Sequence, residues 1–392
     1  MKRYRYLIVG GGMTADSAVH GIREVDPDGN IGLFSLEPDP PYKRPPLSKG
    51  LWKGKPLDSI WRKTTGPGVD LYLSRRVQSI APGNKTITDE QGTVYAYEKL
   101  LLATGGTVRR LSYGGDQVIY YRTLEDYRRL LERAKIGNRF AVIGGGFIGS
   151  EIAAALAMTG KEVSMVFPDA GIGARVFPND LSQFITGYYR QKGVVVLSGE
   201  AATGMENPGN QQALITRDRG QILVDGVIAG IGITPEVSLA SAAGLQVGNG
   251  IVVNETLATS QPDIFSAGDV AEFYNPTLAK RMRVEHEDNA NAMGKAAGRN
   301  MAGAHESYDY LPYFYSDLFE LGYEAIGEVD SRLETVSDWK EPFRQGVIYY
   351  LNGGRVRGVL LWNVWGQVNA ARSLIAEPGP FQPGDLKGCL PA

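Results

Sequence analysis

Cysteine is almost absent from this chain: its 392 residues include one, Cys389, close to the C-terminal end. A redox-active disulfide needs two thiols, and zinc sites and iron–sulfur clusters draw their ligands mainly from cysteine and histidine. One cysteine and three histidines supply none of these centres. We therefore expect no metal site, and any redox chemistry of the chain has to come from a bound organic cofactor.

Excess charge and long apolar runs are lacking as well. Lysine and arginine together number 41 and aspartate and glutamate 43, which leaves a formal net charge of −2 and a pI of about 6.1. This balance argues against a nucleic-acid or anionic-membrane partner. Because the sequence has neither a signal peptide nor an apolar run of about 18 residues, we expect a soluble, cytoplasmic protein without a membrane partner.

What the chain does contain is two glycine-rich turns, each placed between an apolar run and a helical pattern. They follow the patterns G-x-G-x-x-A and G-x-G-x-x-G: Gly10, Gly12 and Ala15 in YLIVGGGMTADSA, and Gly144, Gly146 and Gly149 in FAVIGGGFIGSEIAAAL. The first glycine allows a tight turn, the second lets the backbone approach a pyrophosphate, and the third position permits close helix–strand packing. The pyrophosphate then lies at a helix N-terminus, where N–H groups and the helix dipole favour an anion. Two such units predict two bound dinucleotides.

Each turn is followed by an acidic residue at the spacing of about 20 positions at which Rossmann folds bind ribose hydroxyls. Glu37 ends the predicted strand NIGLFSLE, and Asp169 follows the predicted strand EVSMVFP. An acid at the second of these positions repels a 2′-phosphate, so Asp169 favours NADH over NADPH. Arg175 lies close by in sequence and is a cation that could weaken this preference.

Strand and helix patterns divide the chain into three domains. Residues 1–112 and 246–305 form a first, split domain, residues 113–245 a second domain inserted within it, and residues 306–392 a C-terminal α+β domain with an irregular tail. KLLLATGG predicts a buried strand and a tight turn, and VIAGIGITPE predicts the closing strand of the inserted domain. The predicted fold class is α/β, with two Rossmann-type dinucleotide-binding domains and a C-terminal α+β domain.

The last third of the chain carries its own signals. Residues 285–301 predict a long helix with alanine and glycine spaced for close packing. Beyond residue 306, alternating segments rich in aromatic residues predict strands, and Asn352-Gly353 predicts a hairpin turn between two of them. GQVNAARSLIAE predicts an amphipathic helix, and the tail PGPFQPGDLKGCLPA is expected to be irregular.

Two segments of the split domain resemble the FAD signatures of the glutathione-reductase-like flavoproteins. One is the strand ending PDIFSAGD, which closes with Asp269, and the other is the turn Ala103-Thr104-Gly105. The resemblance implies that FAD occupies the N-terminal fingerprint, with a ribityl hydroxyl on Asp269, and that NAD(H) occupies the internal fingerprint. Members of this group that reduce disulfides need a pair of thiols beside the flavin, and this chain cannot supply one.

Longer segments extend the resemblance over nearly the whole chain. They are PPYKRPPLSKGLW at 40–52, RVEHEDNANAMGKAAGRNMAG at 283–303, YSDLFELGYEAIGEVD at 315–330 and GVIYYLNGGRVRGVLLWN at 346–363. These segments resemble the apoptosis-inducing-factor family, which is related to the ferredoxin and putidaredoxin reductases. The implied fold is glutathione-reductase-like.

The resemblance implies roles for three residues around the flavin. Lys49 and Glu151 form an ion pair near flavin N5, the atom that accepts the hydride. A cation there stabilises the electron-rich reduced ring, and a carboxylate partner limits the desolvation cost of that cation. Phe147 covers the flavin and has to move before the nicotinamide can stack.

Further residues match family positions that contact FAD. Arg44 and Arg122 lie near the cofactor, and the helix that begins near Glu285 and His286 directs its positive N-terminus at the O2/N1 region of the flavin. Tyr315 stands where the family usually has a tryptophan, so an aromatic face is kept. The chain lacks the long insert of the mammalian C-terminal domains, and regulation through that insert is not implied.

These roles predict an FAD-dependent NADH oxidoreductase, in which the flavin takes a hydride from NADH. The electrons then leave to an unidentified acceptor: a small redox protein, a quinone or oxygen. Four arginines are candidates for docking an acidic iron–sulfur partner: Arg281, Arg283, Arg355 and Arg357.

Two alternative functions stay open. One is an NADH sensor with little turnover that forms a long-lived reduced flavin–NAD charge-transfer complex and a homodimer on reduction. The other is a ferredoxin or rubredoxin reductase component of an oxygenase system.

Overall fold

The computed structural model describes residues 1–208 and 211–391. In these residues the strands are β1 (Lys2–Val9), β2 (Ile31–Phe34), β3 (Val69–Tyr72), β4 (Val77–Ala81), β5 (Thr86–Asp89), β6 (Val94–Leu102), β7 (Gly106–Val108), β8 (Val118–Tyr120), β9 (Arg139–Ile143), β10 (Glu162–Phe167), β11 (Val195–Ser198), β12 (Ala202–Glu206), β13 (Gln212–Thr216), β14 (Gly220–Val224), β15 (Gly226–Ala229), β16 (Ile233–Pro235), β17 (Ile251–Val252), β18 (Ile264–Ser266), β19 (Ala271–Asn275), β20 (Lys280–Met282), β21 (Tyr313–Leu318), β22 (Leu321–Gly327), β23 (Glu334–Glu341), β24 (Gln345–Asn352) and β25 (Arg355–Trp362). The helices are α1 (Met13–Val25), α2 (Leu124–Ile136), α3 (Phe147–Met158), α4 (Asn179–Gln191), α5 (Ser238–Ala242), α6 (Glu287–Met301), α7 (Val368–Ala376) and α8 (Pro383–Leu386).

The chain forms two compact units. Unit 1 consists of Met1–Lys43, Leu57–Thr107 and Thr234–Pro312. Unit 2 consists of Arg44–Pro56, Val108–Ile233 and the chain from Tyr313 onward. The internal fingerprint, the PPLSK motif and the C-terminal strands therefore belong to one compact body. The division into three domains, with the C-terminal residues 306–392 as a separate one, stays a prediction.

Unit 1 is built on a mainly parallel sheet that is covered on both faces. The strand order is β3-β2-β1-β6-β5-β4, with β18 also paired to β6. Alternate residues of a strand point to opposite faces, and in the second half of β1 both sets are buried. Tyr6 and Ile8 belong to the core shared with α1 and α6, whereas Leu7 and Val9 belong to the core on the opposite face. Burial on both faces explains why the second half of the strand, residues 6–9, is an unbroken apolar run.

Helices α1 and α6 pack closely in unit 1 because glycines remove the side chains between them. A Cβ added at Gly298 would lie 2.1 Å from the carbonyl oxygen of Ala18, and one at Gly294 would lie 2.3 Å from that of Thr14. In the other direction, a Cβ at Gly21 would lie 2.1 Å from the carbonyl oxygen of Lys295. The predicted spacing of small residues for close packing is confirmed.

Unit 2 contains a parallel sheet in the order β11-β10-β9-β15-β8 and an antiparallel sheet in the order β21-β22-β25-β24-β23. A small antiparallel sheet, β12-β13-β14, adjoins the parallel one. Helix α7 packs on β22 and β25. Helix α3, with the sequence FIGSEIAAALAM, is rich in alanine and buried over most of its length, as expected for a good helix former in a core.

The predicted fold class, α/β with two Rossmann-type dinucleotide-binding domains and a C-terminal α+β domain, is confirmed, whereas the residue bounds of these domains stay a prediction. Several predicted boundaries are wrong. Strand β2 ends at Phe34 rather than at Glu37, and VIAGIGITPE forms the two strands β15 and β16. The hairpin turn lies at Gly353-Gly354, because β24 extends through Asn352 and both glycines have positive φ. The described tail contains α8.

None of the helices in the described ranges is long and apolar enough to cross a membrane.

Candidate dinucleotide and redox sites

The N-terminal fingerprint connects β1 to α1 in unit 1. Gly10 has φ +133°, and a Cβ there would lie 2.1 Å from the carbonyl oxygen of Ala103, so this position requires glycine. Gly12 is the N-cap of α1, and a Cβ on it would meet none of the described atoms within 4 Å. Ala15 is fully buried against the core. The open space at Gly12, directly before the positive end of α1, fits a pyrophosphate.

The internal fingerprint has the same geometry between β9 and α3 in unit 2. Gly144 has φ +116°, and a Cβ there would lie 2.4 Å from the carbonyl oxygen of Gly230. A Cβ at Gly149 would lie 2.1 Å from the carbonyl oxygen of Gly144, which is the close packing that this position serves. Gly146 is the N-cap of α3, and in the described chain a Cβ on it would meet no atom within 4 Å. This turn also fits a pyrophosphate.

The two predicted ribose-binding acids already hold protein partners. Glu37 lies three residues beyond the end of β2, is half-buried and accepts a hydrogen bond from the Tyr42 hydroxyl. Asp169 lies two residues beyond β10, and its Oδ1 is 3.2 Å from Nε of Arg175. The Asp169 side chain is 34% exposed and that of Arg175 is 79% exposed. Each acid therefore keeps accessible surface on which a ribose could be bound.

The second FAD signature lies against the first fingerprint within unit 1. Asp269 belongs to a short 3₁₀ turn that follows β18, the strand that pairs with β6. A Cβ added at the preceding Gly268 would lie 2.3 Å from Oγ1 of Thr14. Thr14 is in the first turn of α1. The turn at Thr104 and Gly105 is tied down elsewhere in the unit, since Oγ1 of Thr104 donates to the carbonyl oxygen of Glu236 at 2.7 Å.

Helix α6 begins beside this signature. His286 is its N-cap, and Glu285 forms an ion pair with Arg283 at 2.6 Å between Nη1 and Oε1. Nη1 of Arg283 also donates to the carbonyl oxygen of Asp269 at 2.9 Å. Burial lowers the pKa of His286 from its ordinary 6.5 to about 4, while the carboxylate of Asp269 acts in the opposite direction. His286 is therefore neutral at physiological pH.

Unit 2 contains a buried ion pair between Lys49 and Glu151. The Lys49 Nζ lies 2.9 Å from Oε1 of Glu151, with side chains that are 12% and 5% exposed. Lys49 follows the 3₁₀ turn Pro45–Ser48, and Glu151 lies in the first turns of α3, directly after the fingerprint. The structure therefore brings together two residues that the sequence linked only by family resemblance.

Two serines and a tyrosine complete the surroundings of this pair. Ser48 Oγ donates to Oε2 of Glu151 at 2.5 Å, and Ser316 Oγ donates to Oε1 at 2.5 Å. The ring centroid of Tyr315 lies 4.4 Å from Nζ of Lys49, a cation–π distance. Neither serine is predicted from the sequence. The only available signal was their position next to Lys49 and Tyr315 in the segments that resemble the family.

Phe147 is the first residue of α3 and is half-buried. Its ring centroid lies 5.1 Å from that of Phe314 and 6.5 Å from that of Tyr323. The ring thus rests on aromatic side chains of β21 and β22 rather than on a polar surface. Because a phenyl side chain carries no hydrogen-bonding group, it can change its rotamer without breaking a hydrogen bond of its own.

Arg44 and Arg122 are brought together in unit 2. Nη1 of Arg44 donates to the carbonyl oxygen of Arg122 at 3.0 Å. That carbonyl is held in place because the N–H groups of Arg122 and Thr123 both donate to Oδ2 of Asp126, at the capping box that begins α2.

For two of the four candidate arginines, the prediction that they dock a partner protein is wrong. The side chain of Arg283 is 10% exposed and pairs with Glu285, and that of Arg357 is 14% exposed and pairs with Glu328. Arg281 is exposed, but its Nη1 donates to the carbonyl oxygens of Val253 and Glu272. These side chains support the protein's own structure, and they do not present a row of charges to a partner.

Comparison with known proteins agrees with this geometry. A family model described as "Pyridine nucleotide-disulphide oxidoreductase" matches residues 4–294. A second, described as "Apoptosis-inducing factor, mitochondrion-associated, C-term", matches residues 297–342 and 337–377. The two models together span both fingerprints and the C-terminal strands.

Individual relatives match over almost the full chain. The mitochondrial apoptosis-inducing factor 1 of Dictyostelium discoideum is 33% identical over 96% of this chain and 79% of its own length. Putidaredoxin reductase CamA of Pseudomonas putida is 32% identical over 97% of this chain and 93% of its own length. Among solved structures, the covalent putidaredoxin reductase–putidaredoxin complex has a TM-score of 0.91 and 30% identity, covering 98% of this chain and 95% of that chain.

The predicted resemblance to the apoptosis-inducing-factor and ferredoxin-reductase group is confirmed, and so are the glutathione-reductase-like fold and the two cofactors. Two turns that each fit a pyrophosphate agree with FAD and a nicotinamide dinucleotide. The chain belongs to the pyridine nucleotide-disulphide oxidoreductase family and is an FAD-dependent NAD(P)H oxidoreductase.

Proposed function

We propose that this protein oxidises NADH and passes the electrons to a small iron–sulfur protein. The observation that carries the proposal is the buried Lys49–Glu151 ion pair, which lies directly after the internal fingerprint. A desolvated cation stabilises negative charge more strongly than an exposed one, because water no longer screens it. Such a charge suits a reaction in which electrons accumulate on a ring.

FAD is assigned to the N-terminal fingerprint and NADH to the internal one. Gly10, Gly12 and Ala15 form the first turn, with Glu37 as the ribose acid and Asp269 as the partner of a ribityl hydroxyl. Bound FAD supplies a ring that takes a hydride, that is two electrons and one proton, from NADH to leave NAD⁺, and that returns the electrons to an acceptor. Thr104 and Gly105 form the second turn beside β6 in the same unit.

The chain's own residues then shape the reaction. Lys49 supplies positive charge to the reduced ring, and Glu151 limits the cost of burying that lysine. Phe147 covers the ring and swings aside to admit the nicotinamide, and its phenyl side chain has no hydrogen-bonding group to break when it moves. Arg44, which donates to the carbonyl of Arg122, contributes positive charge near the cofactor.

The start of α6 contributes a dipole rather than a full charge. Its first turn directs backbone N–H groups outward, and the positive end of the dipole favours an anionic ring. His286 adds a hydrogen-bond donor or acceptor, since its lowered pKa keeps it neutral. Glu285 is held by Arg283. Tyr315 makes a cation–π contact with the Lys49 ammonium, which also pairs with Glu151.

The preference for NADH rests on Asp169. Its carboxylate accepts hydrogen bonds from ribose hydroxyls and repels a 2′-phosphate. Arg175 pairs with Asp169 in the free protein and reduces that repulsion, because the negative charge is partly neutralised. The NADH preference is therefore moderate in size rather than absolute.

An iron–sulfur acceptor is favoured by two observations. The chain has one cysteine, so it holds no second redox centre of the dithiol or cluster type. A relative that matches over most of the chain is named putidaredoxin reductase, and a similar solved structure is a covalent complex of a putidaredoxin reductase with putidaredoxin. Quinone and oxygen are the competing acceptors.

The test is a two-stage kinetic experiment on the FAD-loaded protein. In the anaerobic stage, flavin absorbance is followed after mixing with NADH or NADPH, and faster reduction by NADH is expected. In the second stage the reduced protein is mixed with a ferredoxin-type [2Fe–2S] protein, a soluble quinone or air-saturated buffer. Reoxidation by the iron–sulfur protein should be fastest, and a faster reaction with quinone or oxygen would overturn this assignment of the acceptor.

A second candidate function is NADH sensing. It is favoured by the match of the C-terminal residues to the apoptosis-inducing-factor model and by the 33% identical relative of that name. In that case one equivalent of NADH, added in air, produces a long-wavelength charge-transfer band that lasts for minutes, and analytical ultracentrifugation shows a homodimer. Reoxidation within seconds, with no band and no change in mass, would exclude it.

A further inference from the structure

Helix α3 and strand β21 contact each other at two pairs of residues beside the Lys49–Glu151 ion pair. Phe147 and Glu151 are four positions apart on the helix, a rise of about 6 Å. Phe314 and Ser316 are two positions apart on the strand, a rise of about 6.6 Å. Phe147 contacts Phe314, and Glu151 accepts from Ser316, so the two spacings coincide. The strand therefore contacts the two α3 residues to which the proposed function gives a role.

The hydrogen bonds to the Glu151 carboxylate are made by side chains that are themselves buried. Glu151 is 5% exposed, Ser48 is 5% exposed and Ser316 is 1% exposed. Ser316 and Lys49 share Oε1, whereas Ser48 occupies Oε2. Hydrogen bonds to an ionised carboxylate are stronger than neutral ones, and a carboxylate held at both oxygens has no freedom to rotate.

We propose that Ser316, assisted by Ser48, is a positioning residue that fixes the Glu151 carboxylate and through it the Lys49 ammonium. The inference rests on the proposed function, because it deepens the role given there to the ion pair. Ser316 touches neither cofactor in this assignment. Its hydroxyl holds the carboxylate so that the lysine keeps its contacts with both Glu151 and the ring of Tyr315.

The sequence offers a conservative replacement that separates this role from simple packing. Ser316→Ala removes one of the three contacts that hold the Glu151 carboxylate. Lys49 and Ser48 remain, and the carboxylate and the ammonium are then held less firmly. Ser316→Thr keeps the hydroxyl. Ser337→Ala is the matched control, because Ser337 lies on β23, the opposite edge strand of the same sheet.

The first measurement is anaerobic flavin reduction by NADH over a concentration series. We expect Ser316→Ala to lower the limiting rate about 10-fold with the apparent Kd for NADH unchanged, because the loss concerns the ion pair and not the nucleotide turn. Ser316→Thr should restore the rate to within about 3-fold of the wild type, and Ser337→Ala should match the wild type. An equal loss in Ser316→Thr and Ser316→Ala would overturn the proposal.

The second measurement is a double-mutant cycle that does not depend on turnover. The melting temperatures of the FAD-loaded wild type, Ser316→Ala, Glu151→Gln and the double variant are compared. If Ser316 acts through Glu151, the two shifts in melting temperature are not additive. Additive shifts would show that the serine acts independently, and they would overturn the proposal.

The two failures are distinguishable. If neither NADH nor NADPH reduces the wild-type flavin, the proposed function fails, whatever the serine variants do. If the wild type is reduced and Ser316→Ala is reduced equally fast, only the positioning role fails. If Glu151→Gln does not fold, Lys49→Met serves as the second background for the cycle, because Lys49 shares Oε1 with Ser316.

Discussion

Lys49 Nζ and Glu151 Oε1 lie 2.9 Å apart at a place where their side chains are only 12% and 5% exposed. A buried ion pair contributes little net stability, because the desolvation of two charges offsets most of their attraction. Breaking such a pair is costly, since the remaining charge stays buried without compensation. Because of this asymmetry, replacing one residue of the pair should lower the stability of the protein more than replacing both.

We expect Lys49→Met to lower the free energy of unfolding of unit 2 by about 3 kcal/mol. The double variant with Glu151→Gln should recover most of this loss, because no charge then remains buried. Both variants should reduce flavin more slowly with NADH, since the cation is absent from both. Thermal unfolding and anaerobic stopped-flow absorbance measure the two effects. Equal stability of the single and double variants would contradict the explanation by an uncompensated charge.

The glycines of the internal fingerprint provide a pair of substitutions with opposite expected results. Gly149→Ala places a methyl 2.1 Å from the carbonyl oxygen of Gly144, so we expect a loss of about 2 kcal/mol in stability. Gly146→Ala meets no described atom within 4 Å and has φ −85°, so the protein should fold normally. Its methyl occupies the space assigned to the pyrophosphate, and the affinity for NADH should fall about 10-fold or more. Isothermal calorimetry and thermal melts report these results, and normal NADH binding by Gly146→Ala would contradict the assignment of this turn.

Nucleotide preference is expected to change at Asp169 and Arg175 in opposite directions. Asp169→Ser removes the acid and should lower the ratio of kcat/KM for NADH over NADPH about 10-fold. Arg175→Ala removes the cation beside it and should raise that ratio. Because Arg175 is 79% exposed, its ion pair contributes at most about 1 kcal/mol, and the melting temperature should hardly change. Steady-state assays with both nucleotides decide the matter, and a rise in the ratio for Asp169→Ser would contradict the role of this acid.

His286 should make stability depend on pH in the acidic range. Its pKa is lowered from 6.5 to about 4 in the folded protein, so the unfolded chain binds more protons between these values. The stability that a neutral His286 provides is fully present above about pH 6.5 and is lost as the pH falls toward 4, to a limit of about 3 kcal/mol. His286→Asn should be less sensitive over this window.

Two measurements test this expectation. Thermal unfolding of the flavin-free wild type and His286→Asn between pH 4 and pH 7 gives the slope of stability against pH for each protein. The other ionisable groups are the same in both, so the difference between the slopes reports His286. Long-range NMR correlation of the three histidine rings gives the titration directly, and the variant assigns the signal. A His286 ring that becomes protonated near pH 6.5 would contradict the lowered pKa.

Local sequence patterns predicted the parts of this protein that depend on neighbouring residues. A glycine with positive φ followed by a helix N-terminus needs only a few consecutive positions, and Gly10 and Gly144 have the expected backbone. Boundaries were less predictable. The signal for a turn at Asn352-Gly353 was displaced by one residue, because pairing of Asn352 with Arg355 extends the strand into the glycine pair.

Contacts between residues that are distant in sequence could not be predicted from local patterns. Arg283 and Arg357 are charged, and nothing in their neighbours shows that Glu285 and Glu328 pair with them in half-buried positions. Ser48 and Ser316 are ordinary serines until the chain places both on the carboxylate of Glu151. The pairing of Lys49 with Glu151 was anticipated only through family resemblance.

The sequence by itself determined the fold class, the two dinucleotide turns and the absence of a thiol pair, since these depend on local backbone geometry, periodicity and composition. Only the tertiary structure decided which charges are buried, which partners they hold and which side chains surround the redox pair. The physical reason is that hydrogen bonds and desolvation act over a few ångströms in space, and separation along the chain does not specify which side chains come that close.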